Sequence, residues 1–83
     1  MGVLMYPLAT EKAITMVDRD NTLTFIVALG ATKQQVKKEF ESKFAVKVAS
    51  VNIGISATNS KKAYVKLDKA YKASDLALKL KLL

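Results

Sequence analysis

The sequence predicts an α+β fold: a small three-stranded, mostly antiparallel β-sheet with helices packed on it. Three observations predict this class. Apolar residues recur at helical spacing in the middle of the chain, two segments alternate with a period of two, and a β-branched segment precedes the second of them. The predicted order is helix, strand, helix, strand, strand, helix. Because 83 residues have room for one modest core, we expect a single domain over residues 1–83.

The first helix is predicted over residues 10–18. Thr10 suits the N-cap because its hydroxyl accepts a hydrogen bond from a free backbone N–H, and the negative charge of Glu11 is favourable in the first turn. A polar turn at 18–21 follows. Residues 22–29 alternate between two faces and are rich in β-formers, which predicts the first strand. Apolar residues on its second face indicate that this face is partly covered as well.

The second helix has the clearest pattern and is predicted from residue 32 or 33 to residue 44, with the threonine at 32 as a plausible cap. Val36, Phe40 and Phe44 recur every four residues and therefore share one helical face. Glu41 and two of the helix lysines are expected on the opposite side.

A β-hairpin is predicted from residues 46–56 and 61–68, joined by a polar turn at 57–60. The apolar phase changes between Val48 and Val51, which predicts a β-bulge. Because a helix connects the first strand to the second, those two strands lie either parallel with a right-handed crossover or apart.

The C-terminal segment is predicted to be a helix with Ser74 as its N-cap and with Leu76, Leu80 and Leu83 on one face. The leucines of residues 76–82 also alternate with a period of two, so a strand is the alternative. The cap and the helix-forming lysines favour the helix.

The residue inventory excludes most catalytic chemistry. The chain has no His, Cys or Trp, so neither a Ser–His nor a Cys–His nucleophile can form, and Cys/His zinc sites are excluded too. The carboxylates are scattered, and the three glycines stand alone, which excludes a glycine-rich phosphate loop. We expect no enzyme activity, no metal, no cofactor and no small-molecule substrate.

No apolar stretch reaches the ~18 residues that a membrane helix needs. The apolar residues 1–6 lack preceding basic residues and a cleavage site, so they do not indicate a signal peptide. With no cysteine to oxidise, the composition fits the cytoplasm.

The charge is strongly asymmetric. Residues 1–30 carry two basic and three acidic residues, a net of −1, whereas residues 31–83 carry twelve lysines and four acids, a net of +8. This indicates a surface that meets a polyanion, with a solvated lysine-rich face as the alternative. Lysine suits backbone phosphates and the chain has one arginine, so shape and phosphate recognition of folded RNA is expected. The candidate RNA-binding residues are Lys12, Lys33, Lys37, Lys38, Lys47, Lys61, Lys62, Tyr64 and Lys66.

Tyr64 has two interpretations. The segment 61–65, Lys-Lys-Ala-Tyr-Val, faintly resembles the strand on which RNA-recognition motifs stack bases, but it lacks the glycine and the paired aromatic residues. A half-buried sheet residue with an apolar body and a polar tip is the favoured interpretation.

Four segments match one known family in the same order and spacing. They are Pro7-x-x-Thr10-Glu11-Lys12-Ala13, Ala31-Thr32-Lys33-x-x-Val36-Lys37-Lys38, Phe44-Ala45-Val46-Lys47-Val48 with Val51-Asn52, and Lys61-Lys62-Ala63-Tyr64-Val65. Together they closely resemble the family of large-subunit ribosomal protein number 23, from about Tyr6 to the end of the chain. The resemblance implies binding to large-subunit ribosomal RNA near the polypeptide exit tunnel, beside neighbouring ribosomal proteins. It also implies a docking surface for signal recognition particle or nascent-chain chaperones, with Glu11 at the position linked to chaperone docking in bacteria.

Two positions depart from the family pattern: Ala45 replaces the usual Gly, and Ile53 replaces the usual Thr. The short connection between the hairpin strands resembles archaeal members, since bacterial members often carry a long extension there. The role of Glu11 in a first helical turn needs no partner, because the helix dipole is sufficient reason for it. A free-standing RNA-binding regulator and a protein–protein adaptor remain the alternative functions.

Overall fold

The computed structural model describes residues 4–8, 10–55 and 60–80. Within these ranges the chain forms four strands and three helices. In chain order they are β1 (Leu4–Pro7), α1 (Glu11–Asp20), β2 (Thr22–Val27), α2 (Lys33–Phe44), β3 (Val48–Ile55), β4 (Lys61–Leu67) and α3 (Ala73–Lys79). The α+β class is confirmed, with one strand more than predicted.

The additional strand is β1, which pairs antiparallel with β2 at one edge of the sheet. The sequence gives little sign of it, because four residues are too few for a recognisable alternation and Pro7 cannot donate to a ladder. Its position depends on distant partners. The Leu4 N–H donates to the carboxylate of Glu39 on α2 (2.7 Å), and the Leu8 N–H donates to the carbonyl of Thr24 (2.9 Å).

The strand order is β1-β2-β4-β3, and every neighbouring pair is antiparallel. The first two predicted strands, β2 and β3, therefore lie apart, because β4 is inserted between them. The predicted bulge in β3 is confirmed by a register shift between Val48 and Ser50. The connection between β3 and β4 lies mostly outside the described residues.

The main core lies on one face of the sheet. Leu23 and Phe25 of β2 and Val65 of β4 are buried there against α2, which contributes Val36 and Phe40. The Phe25 and Phe40 rings meet edge to face with centroids 5.5 Å apart, a favourable aromatic geometry. This fixes α2 on the core face of the sheet.

Both local helix caps are confirmed. Thr10 accepts from the Ala13 N–H at the start of α1, and Thr32 forms a capping box with Gln35 at the start of α2. Glu41 does not project freely to solvent as predicted. Its carboxylate accepts from the Val48 N–H (2.9 Å), and this satisfies a backbone donor at the start of β3.

The C-terminal helix is confirmed, but Ser74 is not its cap. α3 begins at Ala73, one residue earlier, and its N-cap position is Lys72, which makes no side-chain cap hydrogen bond. The Ala73 N–H instead donates to the side-chain oxygen of Asn21 (2.7 Å), a residue 52 positions earlier in the chain. Leu83, predicted on the apolar face of this helix, lies outside the described residues.

Asn21 connects three elements. It ends α1 in the left-handed conformation (φ 52°), and its backbone N–H donates to the Met16 carbonyl. Its side-chain amide donates to the carbonyls of Leu67 (3.3 Å) and Tyr71 (2.9 Å). One side chain thus ties the end of α1 to the end of β4 and the start of α3.

Candidate nucleic-acid interface

The second face of the sheet carries a depression beneath α1. Adjacent strands place Thr24, Tyr64 and Asn52 side by side across β2, β4 and β3, and the next row is Thr22, Lys66 and Ser50. The depression has a volume of about 370 Å³, and it is lined by Lys12, Met16, Asp20, Thr22, Ser50, Asn52, Tyr64 and Lys66. We refer to it as the sheet depression.

A smaller hollow of about 30 Å³ adjoins the sheet depression and shares Lys12, Met16 and Tyr64 with it. Thr24 and Lys62 complete the shared region at this end. Three predicted lysines, on α1 and β4, therefore line one continuous concave surface around Tyr64. The period of two along β4 explains why Lys62, Tyr64 and Lys66 share a face.

Tyr64 is half-buried, as the favoured interpretation predicted. A Cβ atom built on Gly54 would lie 3.9 Å from its Cε2 atom, so the ring extends over the backbone of β3. The edge of the ring thus packs on the sheet while the residue still lines both hollows.

Lys61 lies on a different surface from Lys62, although the two are adjacent in sequence. Its Nζ donates to the carbonyls of Leu29 (3.0 Å) and Ala31 (2.7 Å), in the loop between β2 and α2. Lys61 therefore holds this loop in place, and its charge is already engaged with backbone oxygens.

The remaining predicted lysines are distributed elsewhere. Lys33, Lys37 and Lys38 are exposed on α2, which covers the opposite face of the sheet from the depression. Lys47 is exposed just before β3. The nine predicted residues therefore separate into three sets. Four lie around the depression, three form a second patch on α2, and Lys47 and Lys61 each lie elsewhere.

Glu11 is exposed in the first turn of α1. It shares a shallow surface hollow with Thr10, Lys12, Thr15 and Arg19 and does not line the sheet depression. The N-terminal turn of α1 therefore presents a surface of mixed charge that adjoins the sheet depression at Lys12.

Sequence reasoning missed several lining residues, notably Met16, Thr24 and Asn52. Thr24 and Asn52 follow from the strand pairings with Tyr64, which required the order of the strands to be known. Met16 required the position of α1. The available signal was the alternation of β2 and β4, which places their odd- and even-numbered residues on opposite faces.

Within the described ranges, no group of three or more residues is arranged to hold a metal ion. The helices in the same part of the chain are too short or too polar to cross a membrane.

Fold, charge and residue inventory define the class: a small, basic α+β protein with a concave lysine-bearing sheet face. Residues 2–72 match the sequence profile of the family described as ribosomal protein L23. The chain is also 44% identical over 79 residues to the large ribosomal subunit protein uL23 of Methanothermobacter thermautotrophicus, covering 95% of this chain and 92% of that protein. The chain belongs to the ribosomal protein L23 family.

This membership gives the chain a structural role in the large subunit of the cytoplasmic ribosome, and the family is not one of enzymes. The family match includes β1 through β4, whereas α3 begins just after its last residue.

Proposed function

We propose that the chain is a single domain over residues 1–83 that binds large-subunit ribosomal RNA beside the polypeptide exit tunnel. The observation that carries the RNA-binding surface is the convergence of Lys12 and Lys66 on the sheet depression and of Lys62 on the smaller hollow that adjoins it. These lysines come from two elements far apart in the sequence, so their proximity is a product of the fold.

The charge and the concave shape of the sheet depression support its assignment as an RNA-binding surface. Asp20 is the one acidic residue among those that line the sheet depression. Three lysine side chains can each neutralise a phosphate, and the concave surface gives the backbone of a folded RNA a defined place to lie. The proposed RNA contact is therefore largely electrostatic.

The α2 patch of Lys33, Lys37 and Lys38 is proposed as a second RNA contact. This patch and the sheet depression lie on opposite faces of the sheet. One RNA segment would have to wrap around the domain to contact both. We assign the two patches to two different segments of ribosomal RNA. Lys47 and the backbone-bound Lys61 are assigned to the margins of these contacts.

The N-terminal turn of α1 is proposed as the protein-docking surface. Glu11 is exposed there and lies outside the depression. A surface left free by RNA suits neighbouring ribosomal proteins, signal recognition particle or a nascent-chain chaperone.

Two matched triple variants test the RNA-binding surfaces. Lys12, Lys62 and Lys66 are changed together to Ala in one, and Lys33, Lys37 and Lys38 in the other. Each is expected to bind large-subunit ribosomal RNA more weakly, and the slope of log affinity against log salt is expected to become shallower by about 2–3, since each lost phosphate contact removes roughly 0.7–0.9.

Because these lysines lie at the surface, both variants are expected to keep the wild-type unfolding midpoint. A folded depression variant with wild-type affinity and slope would show that the RNA lies elsewhere. The two variants remove the same charge, so any difference in their affinities reports which of the two patches contributes more to RNA binding.

A further inference from the structure

We propose that the sheet depression binds one unpaired RNA nucleotide, with its base stacked on Tyr64 and its phosphate near Lys62 or Lys66. This inference rests on the proposed RNA-binding function and specifies what that surface recognises. It goes beyond phosphate contacts, because it requires a base that is free of its own helix.

The depression is an open, concave surface of about 370 Å³, so a base can enter it directly from solvent. Its floor is formed by paired strands and its rim by Lys12 and Met16 of α1. A duplex offers no free base face, so the occupant has to come from a loop, bulge or single strand.

Tyr64 provides the stacking surface. It is half-buried, one edge of its ring lies near Gly54, and the residue lines the depression. Stacking of a base on such an aromatic ring strengthens binding by about 5- to 150-fold per base, whatever the base.

Thr24 provides an independent observation. It is 4% exposed, and its hydroxyl oxygen has no hydrogen-bond partner among the described residues. Thr24 is paired with Tyr64 across β2 and β4 and lines the smaller hollow. A buried hydroxyl without a partner destabilises the free protein, and a bound base would supply that partner.

Access to this hydroxyl requires a side chain to move. Lys12 and Met16, which line the same hollow, are both unbranched and flexible. The proposal requires one of these two side chains to rotate, so that the hollow opens towards the sheet depression. The polar side chains of Ser50 and Asn52 on β3 then face the other edge of the base.

The experiment compares two RNA probes, a mixed-sequence single strand of eight nucleotides and the duplex of the same sequence. Tyr64→Leu is expected to lose about 5- to 150-fold in affinity for the single strand, with little change for the duplex, because it removes the stacking ring. Tyr64→Phe, which keeps the ring, is expected to stay within about two-fold of wild type.

Thr24→Val separates binding from structure. Replacing an unpartnered buried hydroxyl by a methyl group is expected to raise the unfolding midpoint of the free protein. It is also expected to lower affinity for the single strand about five-fold, the equivalent of one neutral hydrogen bond. A raised midpoint with unchanged affinity would show that the hydroxyl does not contact RNA.

If Tyr64→Leu does not fold, the site can still be tested on the wild type, by following its amide signals in nuclear magnetic resonance spectra as the single strand is added. The single strand is expected to shift the amide signals of Thr24, Asn52 and Tyr64. Shifts confined to α2, or equal affinity of a folded Tyr64→Leu for the single strand, would overturn the nucleotide site. Failure of the wild type to bind large-subunit ribosomal RNA at all would instead overturn the proposed function.

Discussion

Asn21 is expected to contribute strongly to the stability of this small domain, because its side chain makes three hydrogen bonds to the backbone. Changing it to Ala removes its hydrogen bonds to Leu67, Tyr71 and Ala73, all partly buried. At about 1 kcal/mol net for each, the hydrogen bonds account for about 3 kcal/mol. Ala in the left-handed conformation adds about 1 kcal/mol, which gives a total of about 4 kcal/mol.

Asn21→Gly is the matched control, because Gly adopts a positive φ without steric cost while losing the same hydrogen bonds. It is expected to destabilise by about 1 kcal/mol less than Asn21→Ala. Urea unfolding followed by circular dichroism measures both free energies. An Asn21→Ala variant within about 0.5 kcal/mol of wild type, the range of ordinary surface substitutions, would refute the assignment of Asn21 as the connection between α1, β4 and α3.

Three further changes are predicted to alter stability. Phe40→Ala should cost about 3–5 kcal/mol in urea unfolding, because the side chain is fully buried, and a wild-type midpoint would contradict the placement of α2. Ala45→Gly should raise the free energy of unfolding by about 0.5–1 kcal/mol, because Ala45 is exposed and its φ of 55° strains a residue that has a Cβ atom. A lower free energy of unfolding would contradict that backbone conformation. Lys61→Met should cost about 1 kcal/mol and speed amide hydrogen exchange in the loop that contains Leu29 and Ala31, and unchanged exchange would show that Lys61 does not hold it.

The parts of the fold that depend on local chemistry were predictable from the sequence. Thr10 and Thr32 cap their helices through hydrogen bonds to residues three positions away, and the apolar spacing of α2 reports one buried face. The alternation of β4 likewise matches its burial, with Ala63, Val65 and Leu67 buried. These signals lie within a single element, so reading them requires no knowledge of the fold.

The parts that depend on distant pairing were not predictable. β1 is held by β2 and by the carboxylate of Glu39, and the start of α3 is capped by Asn21 rather than by Ser74. Ser74 has the right residue type for a cap, but the helix begins one residue before it, where the side-chain oxygen of Asn21 accepts from the Ala73 N–H. The start of α3 is therefore set by a hydrogen bond from a distant residue and not by the local preference of Ser74 for the N-cap position.

The candidate site shows the same division. The shared face of Lys62, Tyr64 and Lys66 follows from alternation along one strand, and the same alternation separates Lys61 from them. The addition of Lys12 depends on how α1 lies across the sheet, and this is set by packing over many residues. Alternation along one strand therefore predicted which residues of β4 share a face, whereas the residues that other elements add to this face depended on the fold.

Binding to large-subunit ribosomal RNA, titrated with salt beside an unrelated folded RNA of equal length, tests the central claim most directly. The account predicts tighter binding to the ribosomal RNA, with an affinity that falls steeply as salt rises because several lysines displace counterions from phosphates. Equal affinity for both RNAs would contradict specific recognition and favour a general RNA-binding protein. Binding to neither RNA would contradict the account as a whole and favour a protein–protein adaptor.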